Sequence, residues 1–389
     1  MENKVMDFIS DNIYKILFIV AIILSAIVRI HLSPYCISGD YQYFLTSWVE
    51  EYRKYGFIEA FGKEIGNYYI PYNILLNIIA RFPWEPWVLI SFFSCFADYV
   101  GAYFVYKIIY LINADKNVDN RKIRAMLAAI TVLFLPMVVM NGSLWKQCDS
   151  IYTAFILGSI YYMLTEKYTK SFIIYSIGFC FKLQAIFMLP FLLIIYVVYR
   201  KYSILNFFYI PLFYFLFGIP AVIMKRGLRS TYLVYFKQTE ASAMSENAPT
   251  IYRFGLNDSY EIWGVPALCF IIMIMMLITV LLLKYTKSIS NSEMVLLAAI
   301  TAWTTFMFLP AMHERYNYVA IILITALAVG RYSKLLWPAI VLNVVTQINY
   351  RNYFYEDYSI PTILLAVPYT IVYIGTVVLC INKMSKINK

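Results

Sequence analysis

Apolar residues in this chain are gathered into separate runs of about 17 to 25 residues, the length that spans the hydrocarbon core of a bilayer. Runs such as 207–224 and 268–283 contain no charged residue at all. A soluble helix keeps a charged face toward water; these runs have none. In lipid the backbone finds no water to bond, so each run must satisfy its own N–H and C=O groups as a helix. The expected fold is therefore all-α, a polytopic membrane protein with about twelve transmembrane helices. The runs lie at roughly 13–31, 86–112, 124–141, 147–165, 170–182, 184–200, 204–224, 265–284, 292–310, 315–330, 334–350 and 360–381. The short run at 170–182 is expected to be a broken helix buried against its neighbours. Only 14% of the 389 residues are charged, against about a quarter in a soluble domain.

Twelve crossings put both termini on one side, and Lys and Arg choose which. The N-terminus, the turns near 113–123, 166–169, 201–203, 285–291 and 331–333, and the tail 382–389, with adjoining helix ends, hold 18 of the 32 basic and 8 of the 22 acidic residues. Short loops rich in Lys and Arg stay cytoplasmic, so both termini are expected in the cytoplasm of a multi-pass cell-membrane protein. The net charge of +10 is then explained by topology, and no nucleic-acid partner is needed. The first run lacks a small-residue cleavage motif, so it reads as a retained helix. Tyrosines near run ends, such as Tyr14, Tyr161, Tyr199 and Tyr285, suit an interfacial belt. The six cysteines show no paired spacing, which argues against a disulfide framework or a zinc cluster.

The two longest segments outside the runs, 32–85 and 225–264, fall on the external side, within what reads as a single domain over 1–389. From Asp40, the apolar residues Tyr41, Phe44, Leu45, Trp48, Val49 and Tyr52 recur with helical period, while Glu50, Glu51, Arg53 and Lys54 occupy the other face. That pattern predicts an amphipathic helix lying in the interface. The apolar stretch 72–82 is too short to cross and is expected to form a second juxtamembrane helix.

Chemistry is sought on the external side, where convergent polar groups sit on positioned loops. Asp40 reads either as an N-cap or as a general base at the bilayer surface. Gln147 and Asp149 lie in a polar turn, with Asp149 capping the next helix or facing the same cavity as Asp40. Lys182 is flanked by Phe179, Cys180, Phe181 and Ile186. A charge in such a place should be paired, with Asp98 or Asp149, or line a cavity where it neutralises a phosphate. Gln184 follows it. His313, Glu314 and Arg315 stand between two apolar runs, as interface charges or as a grip on an anionic headgroup. With only two histidines, a multi-His metal site is excluded. Asp98 reads as structural, bonding a neighbouring helix, and 238–257 as a polar external loop that would cover a site.

Three stretches together resemble the GT-C superfamily of integral-membrane glycosyltransferases, in particular the bacterial mannosyltransferase-like branch related to the second GPI mannosyltransferase. They are Trp145-Lys-Gln-Cys-Asp149-Ser-Ile-Tyr, Phe181-Lys-Leu-Gln-Ala-Ile-Phe-Met-Leu-Pro190 and Leu309-Pro-Ala-Met-His-Glu-Arg-Tyr316. Asp40 matches the acidic residue the family places in its first external loop, and Ser245-Glu-Asn-Ala-Pro249 loosely matches a string in a later one. The resemblance implies an inverting transfer of a sugar from a polyprenyl-phosphate donor to a hydroxyl of a cell-surface glycan or glycolipid. It makes Asp40 the expected base with Asp149 in reserve. It assigns Gln147, Lys182, Gln184, His313, Glu314 and Arg315 to the donor phosphate and substrate. No cofactor is expected where these cations suffice; a divalent metal is the alternative. The expected partners are the lipid-linked donor, the acceptor and membrane lipids. A flippase or transporter, or a polymerase of lipid-linked glycans, is the rival class. Where the family usually has Gly before the Gln–Asp motif, this chain has Lys146, an expected point of difference in donor specificity.

Overall fold

The structure, a computed structural model, describes residues 2–239, 242–356 and 358–385, with side chains described from residue 12 to residue 384 of these. It is nearly all helix. The α-helices are α1 (Glu2–Leu32), α2 (Thr46–Arg53), α3 (Ile70–Ile79), α4 (Pro86–Ile112), α5 (Val118–Phe134), α6 (Pro136–Met140), α7 (Asp149–Leu164), α8 (Tyr168–Phe181) and α9 (Leu189–Ile194). There follow α10 (Tyr209–Ile223), α11 (Leu228–Tyr232), α12 (Val234–Lys237), α13 (Tyr260–Tyr285), α14 (Asn291–Phe308), α15 (Tyr318–Gly330), α16 (Leu336–Tyr355) and α17 (Thr362–Ser385). Two-residue strands β1 (Ser245–Glu246) and β2 (Met312–His313) pair in parallel.

Each of the twelve apolar runs falls on helical backbone, but not each is a continuous crossing. Among the described residues five helices are long and apolar enough to cross a membrane: Asn12–Leu32 within α1, α4, Ile204–Ile223 around α10, α13, and Thr362–Met384 within α17. The helical stretches Val118–Phe134 and Pro136–Trp145 would make a sixth, bent by 51°. The bend has a local cause, since Leu135 is held extended ahead of Pro136. The other runs are shorter, interrupted or, like α14 and the 20-residue α16, not apolar enough. The run at 184–200 is a 3-10 stretch, then α9 entered at Pro190, then a π-helical turn that stops at left-handed Arg200. The short run at 170–182 is the 14-residue α8.

Burial follows the logic of an apolar solvent. On α13 the side chains of Ile262, Val265, Ile272 and Met276 are exposed. Almost every residue of α14 and α15 is buried, so these two helices form the middle of the bundle. A few charges, in contrast, are buried inside. Arg29 of α1 pairs with Asp98 of α4 at 3.0 Å, both buried. Its Nη2 donates to the Leu133 carbonyl at 2.9 Å, and Tyr318 donates to the other oxygen of Asp98 at 3.3 Å. One carboxylate thus ties together α1, α4, α5 and α15, the structural role expected of Asp98. Arg29→Lys keeps the charge but loses the fork that reaches Leu133 and Ser25. We expect it to cost about 1–3 kcal/mol, read as a lowered midpoint of thermal unfolding in detergent.

The segment after α1 folds back over this bundle. Its expected helix is real, but it opens with a π-helical turn over Asp40–Leu45 before α2. Tyr41, Leu45, Val49 and Tyr52 are buried while Phe44 is turned outward, so the extra residue of the π turn splits the apolar stripe. The second short helix is α3. Seven of its ten residues are buried, so it packs against protein rather than resting on a surface.

Candidate functional site

Asp40 is not a cap. The hydroxyl of Ser38 takes that part, accepting from the Tyr41 N–H at 3.2 Å and donating to the Trp145 carbonyl at 2.8 Å. The sequence reading of Asp40 as an N-cap fails because Ser38, two residues earlier, reaches the first turn instead. Asp40 Oδ2 accepts from Trp145 Nε1 at 2.7 Å and from Gln147 Nε2 at 2.8 Å, and Arg315 Nη2 lies 3.6 Å away. The carboxylate remains 26% exposed. Partial burial pushes its pKa up, but Arg315, the Trp145 N–H, Lys182 and His313 together outweigh that and hold the group below the usual carboxylate range.

Trp145 is a fixed donor. Its ring stacks on Tyr353 at 4.3 Å and meets Tyr350 and Phe354 of α16 edge-on, with the Arg315 guanidinium 4.9 Å from its centroid. Buried indole N–H groups need a partner, and here the partner is Asp40.

Behind this layer Asp149 is wholly buried at the start of α7. Its Oδ1 accepts from Lys182 Nζ at 2.6 Å, its Oδ2 from Asn141 Nδ2 at 2.9 Å, and Arg315 Nε stands 3.7 Å off. Lys182 follows the last residue of α8, where the backbone turns extended. Of the two carboxylates weighed as its partner, Asp149 is the one it meets. Gln147 joins the layers, since its Oε1 lies 3.4 Å from both Lys182 Nζ and the Tyr68 hydroxyl while its Nε2 holds Asp40. Arg315 therefore stands between two carboxylates that are far apart in sequence.

The third contribution comes from the chain between α14 and α15. Strand β2 pairs with β1, and Asn247 bridges to His313, so residues 245–247 are laced to the His-Glu-Arg segment. Glu314 is buried and accepts from Arg315 Nη1 at 2.9 Å. Burial raises its pKa against the pull of Arg315. Burial, and then the nearby Arg315, drop His313 to about 3, so its imidazole is neutral at ordinary pH.

Asp40, Gln147, Lys182, Gln184, His313 and Arg315 all line one cavity of about 330 Å³. Asp149 and Glu314 lie behind its wall. Aromatic and amide side chains, Trp48, Tyr68, Asn67 and Gln238, line the cavity as well, together with a third cation beside Lys182 and Arg315, Lys237. Gln238 donates to the Asn67 carbonyl, so the segment before α3 and the segment after α12 meet beside the cavity. Gly66 has φ +70°, and a Cβ there would stand 2.9 Å from the Trp48 ring. Gly66→Ala combines a left-handed backbone with that clash. It is expected to cost upward of about 1 kcal/mol, visible in the unfolding midpoint, and to displace Trp48.

Lys146 has φ +63°, a left-handed conformation that favours glycine. Its side chain is fully buried, its ammonium donates to the carbonyls of Ser33 and Ser143, and it does not line the cavity.

Trp48, Tyr68, Asn141 and Trp145 were not singled out as site residues from the sequence. Trp145 carried a signal, an indole within a polar turn. Tyr68 and Asn141 carried none. Among the described residues, no three of His, Cys, Asp and Glu stand together so as to hold a metal ion. Comparison with protein-family models and with characterised proteins finds no match to this chain.

Proposed function

We propose that the chain is a multi-pass membrane glycosyltransferase that moves a sugar from a polyprenyl-phosphate donor to an acceptor hydroxyl. In this reading it crosses the cell membrane about twelve times, with both termini in the cytoplasm and the cavity on the external face. The observation that supports it is the meeting of an acid from the first external segment with cations from α8 and the α14–α15 connection around one cavity. Asp40 comes from the first external segment, and it meets Gln147, Lys182 and Arg315, one from each of the three stretches that resemble the GT-C superfamily.

A second cavity supports a lipid-linked substrate. A groove of about 340 Å³ runs beside the first, walled by Phe93, Phe96, Val100, Ile151, Phe155 and Phe181. Phe96 is 57% exposed, so the groove opens on the outer surface of the bundle. Phe181 lines the groove and its neighbour Lys182 lines the polar cavity. An amphipathic donor with one phosphate between sugar and prenyl chain matches that change of character.

The chemistry assigned is a single displacement. The acceptor hydroxyl attacks the anomeric carbon, the bond from that carbon to the phosphate oxygen breaks, and the proton passes to Asp40 through Oδ1, the oxygen not held by Trp145 and Gln147. Arg315 and Lys182 stabilise the charge that grows on the departing polyprenyl phosphate. His313, neutral, contributes a hydrogen bond rather than a charge.

The test uses purified protein in proteoliposomes with polyprenyl-phosphate sugar labelled in the sugar. Label recovered in covalent linkage to an acceptor, with release of polyprenyl phosphate, supports the reading. Labelled donor that merely changes leaflet, with its phosphate bond intact, overturns it in favour of a flippase.

A further inference from the structure

We propose that the opposite end of the bundle holds a second phosphate site, for the headgroup of an anionic phospholipid. The proposal stands apart from the glycosyltransferase reading.

Arg315 lies just before α15, and Arg331 lies just after it, which separates the two ends by about 20 Å of helix. Around Arg331 is a cavity of about 620 Å³, walled by Arg331, Tyr332, Lys334, Leu379 and Lys383. Its charge is one-sided. Arg331 is fixed by Asp115 at 2.6 Å and by Asn113 at 3.2 Å. Glu293, at the start of α14 nearby, is spent on its own helix, accepting from the Ser290 N–H at 2.9 Å and the Ser290 hydroxyl at 2.7 Å. Among the described residues no carboxylate stands within ion-pair distance of Lys334 or Lys383. Lys383 instead places its ammonium 4.2 Å from the centre of the Tyr332 ring. The Tyr332 hydroxyl is itself buried without a hydrogen-bond partner. Two unneutralised ammonium groups therefore border one concavity, with a partnerless phenol just behind its wall, and ammonium groups are what an anionic phosphate oxygen requires.

The surroundings favour a lipid as the source of that phosphate. Trp337 and Leu336 at the start of α16, and Ile381 near the end of α17, are exposed beside the cavity. An exposed Trp at a helix end belongs at the headgroup level of a bilayer, and the aliphatic side chains offer acyl tails a surface. Basic pockets between membrane helices bind anionic headgroups in this way.

The experiment places the full chain in nanodiscs of phosphatidylcholine alone or with phosphatidylglycerol. It reads the thermal midpoint and the lipid retained in native mass spectrometry. Phosphatidylglycerol is expected to raise the midpoint by several degrees and to remain bound. Lys334→Gln with Lys383→Gln should abolish both effects, and Lys334→Arg with Lys383→Arg should keep them. A rise of equal size in the glutamine variant overturns the proposal, as does the absence of any preference for phosphatidylglycerol over phosphatidylcholine with inorganic phosphate equally without effect. A shift produced by inorganic phosphate in phosphatidylcholine discs, lost in the glutamine variant, keeps the anion site and assigns it to soluble phosphate.

Discussion

Asp40→Asn is expected to lower sugar transfer by about 10²–10⁴-fold, the usual contribution of a positioned general base, while leaving the protein folded. The substitution is conservative for stability because an Asn oxygen still accepts from Trp145 and Gln147, the two donors now on Oδ2. It removes the proton acceptor and the negative charge beside Arg315. The wild-type carboxylate is held below its ordinary pKa, so it is ionised at neutral pH and Asp40 itself gives no fall in rate as pH drops from 8 to about 5. The sign for stability is the same as for any depressed carboxyl group. The contribution is complete above the unfolded value of roughly 3.9, and is lost as pH falls through the lower folded value. Initial rates of labelled transfer, paired with unfolding midpoints, decide the matter. Wild-type rates in the Asn variant would remove Asp40 from the chemistry.

The second large effect is expected at Lys182. Lys182→Met leaves the carboxylate of Asp149, wholly buried, without its 2.6 Å ion pair. Breaking a buried pair from one side costs about 3–5 kcal/mol, so the midpoint of unfolding should drop sharply. Adding Asp149→Asn should recover most of that loss, because Asn141 still has an oxygen to donate to and no charge is stranded. Transfer separates the two roles open to Lys182. If its ammonium serves the donor phosphate, the double variant is stable and inactive. If it only neutralises Asp149, the double variant regains transfer with its stability. Lys182 lines the cavity and pairs with Asp149 at the same time, so geometry alone allows both.

Local sequence pattern carried the helices well and their tertiary use poorly. The apolar run placed at 86–112 is α4 to the residue, because Pro86 starts it and a polar turn at Asn113 stops it. The bend at Pro136 and the division of 184–200 depend on how neighbouring helices hold broken backbone, which no local period records. Lys182 was legible because a charge in apolar surroundings needs a reason, and Asp40 because it opens an amphipathic stretch. Their mutual geometry was not. Nothing near Ser245 announces that it pairs with Met312, and nothing near Gln147 says it will bridge Asp40 to Lys182. Non-local contacts of this kind leave no repeat in the sequence. The Ser38 cap is hidden for a simpler reason, since Asp40 two residues later is an equally good capping type.

The arrangement of Arg315 between Asp40 and Asp149 also bears on how the molecule is made. During synthesis the segment holding Asp40 emerges early, and the guanidinium that partners it arrives only after α14 has entered the membrane. A chain released before that point would carry most of its helices and the apolar groove, yet leave both carboxylates without Arg315. Products that end before Arg315 should therefore be inert, and those that end before α16 would still lack the rings that hold Trp145 against Asp40.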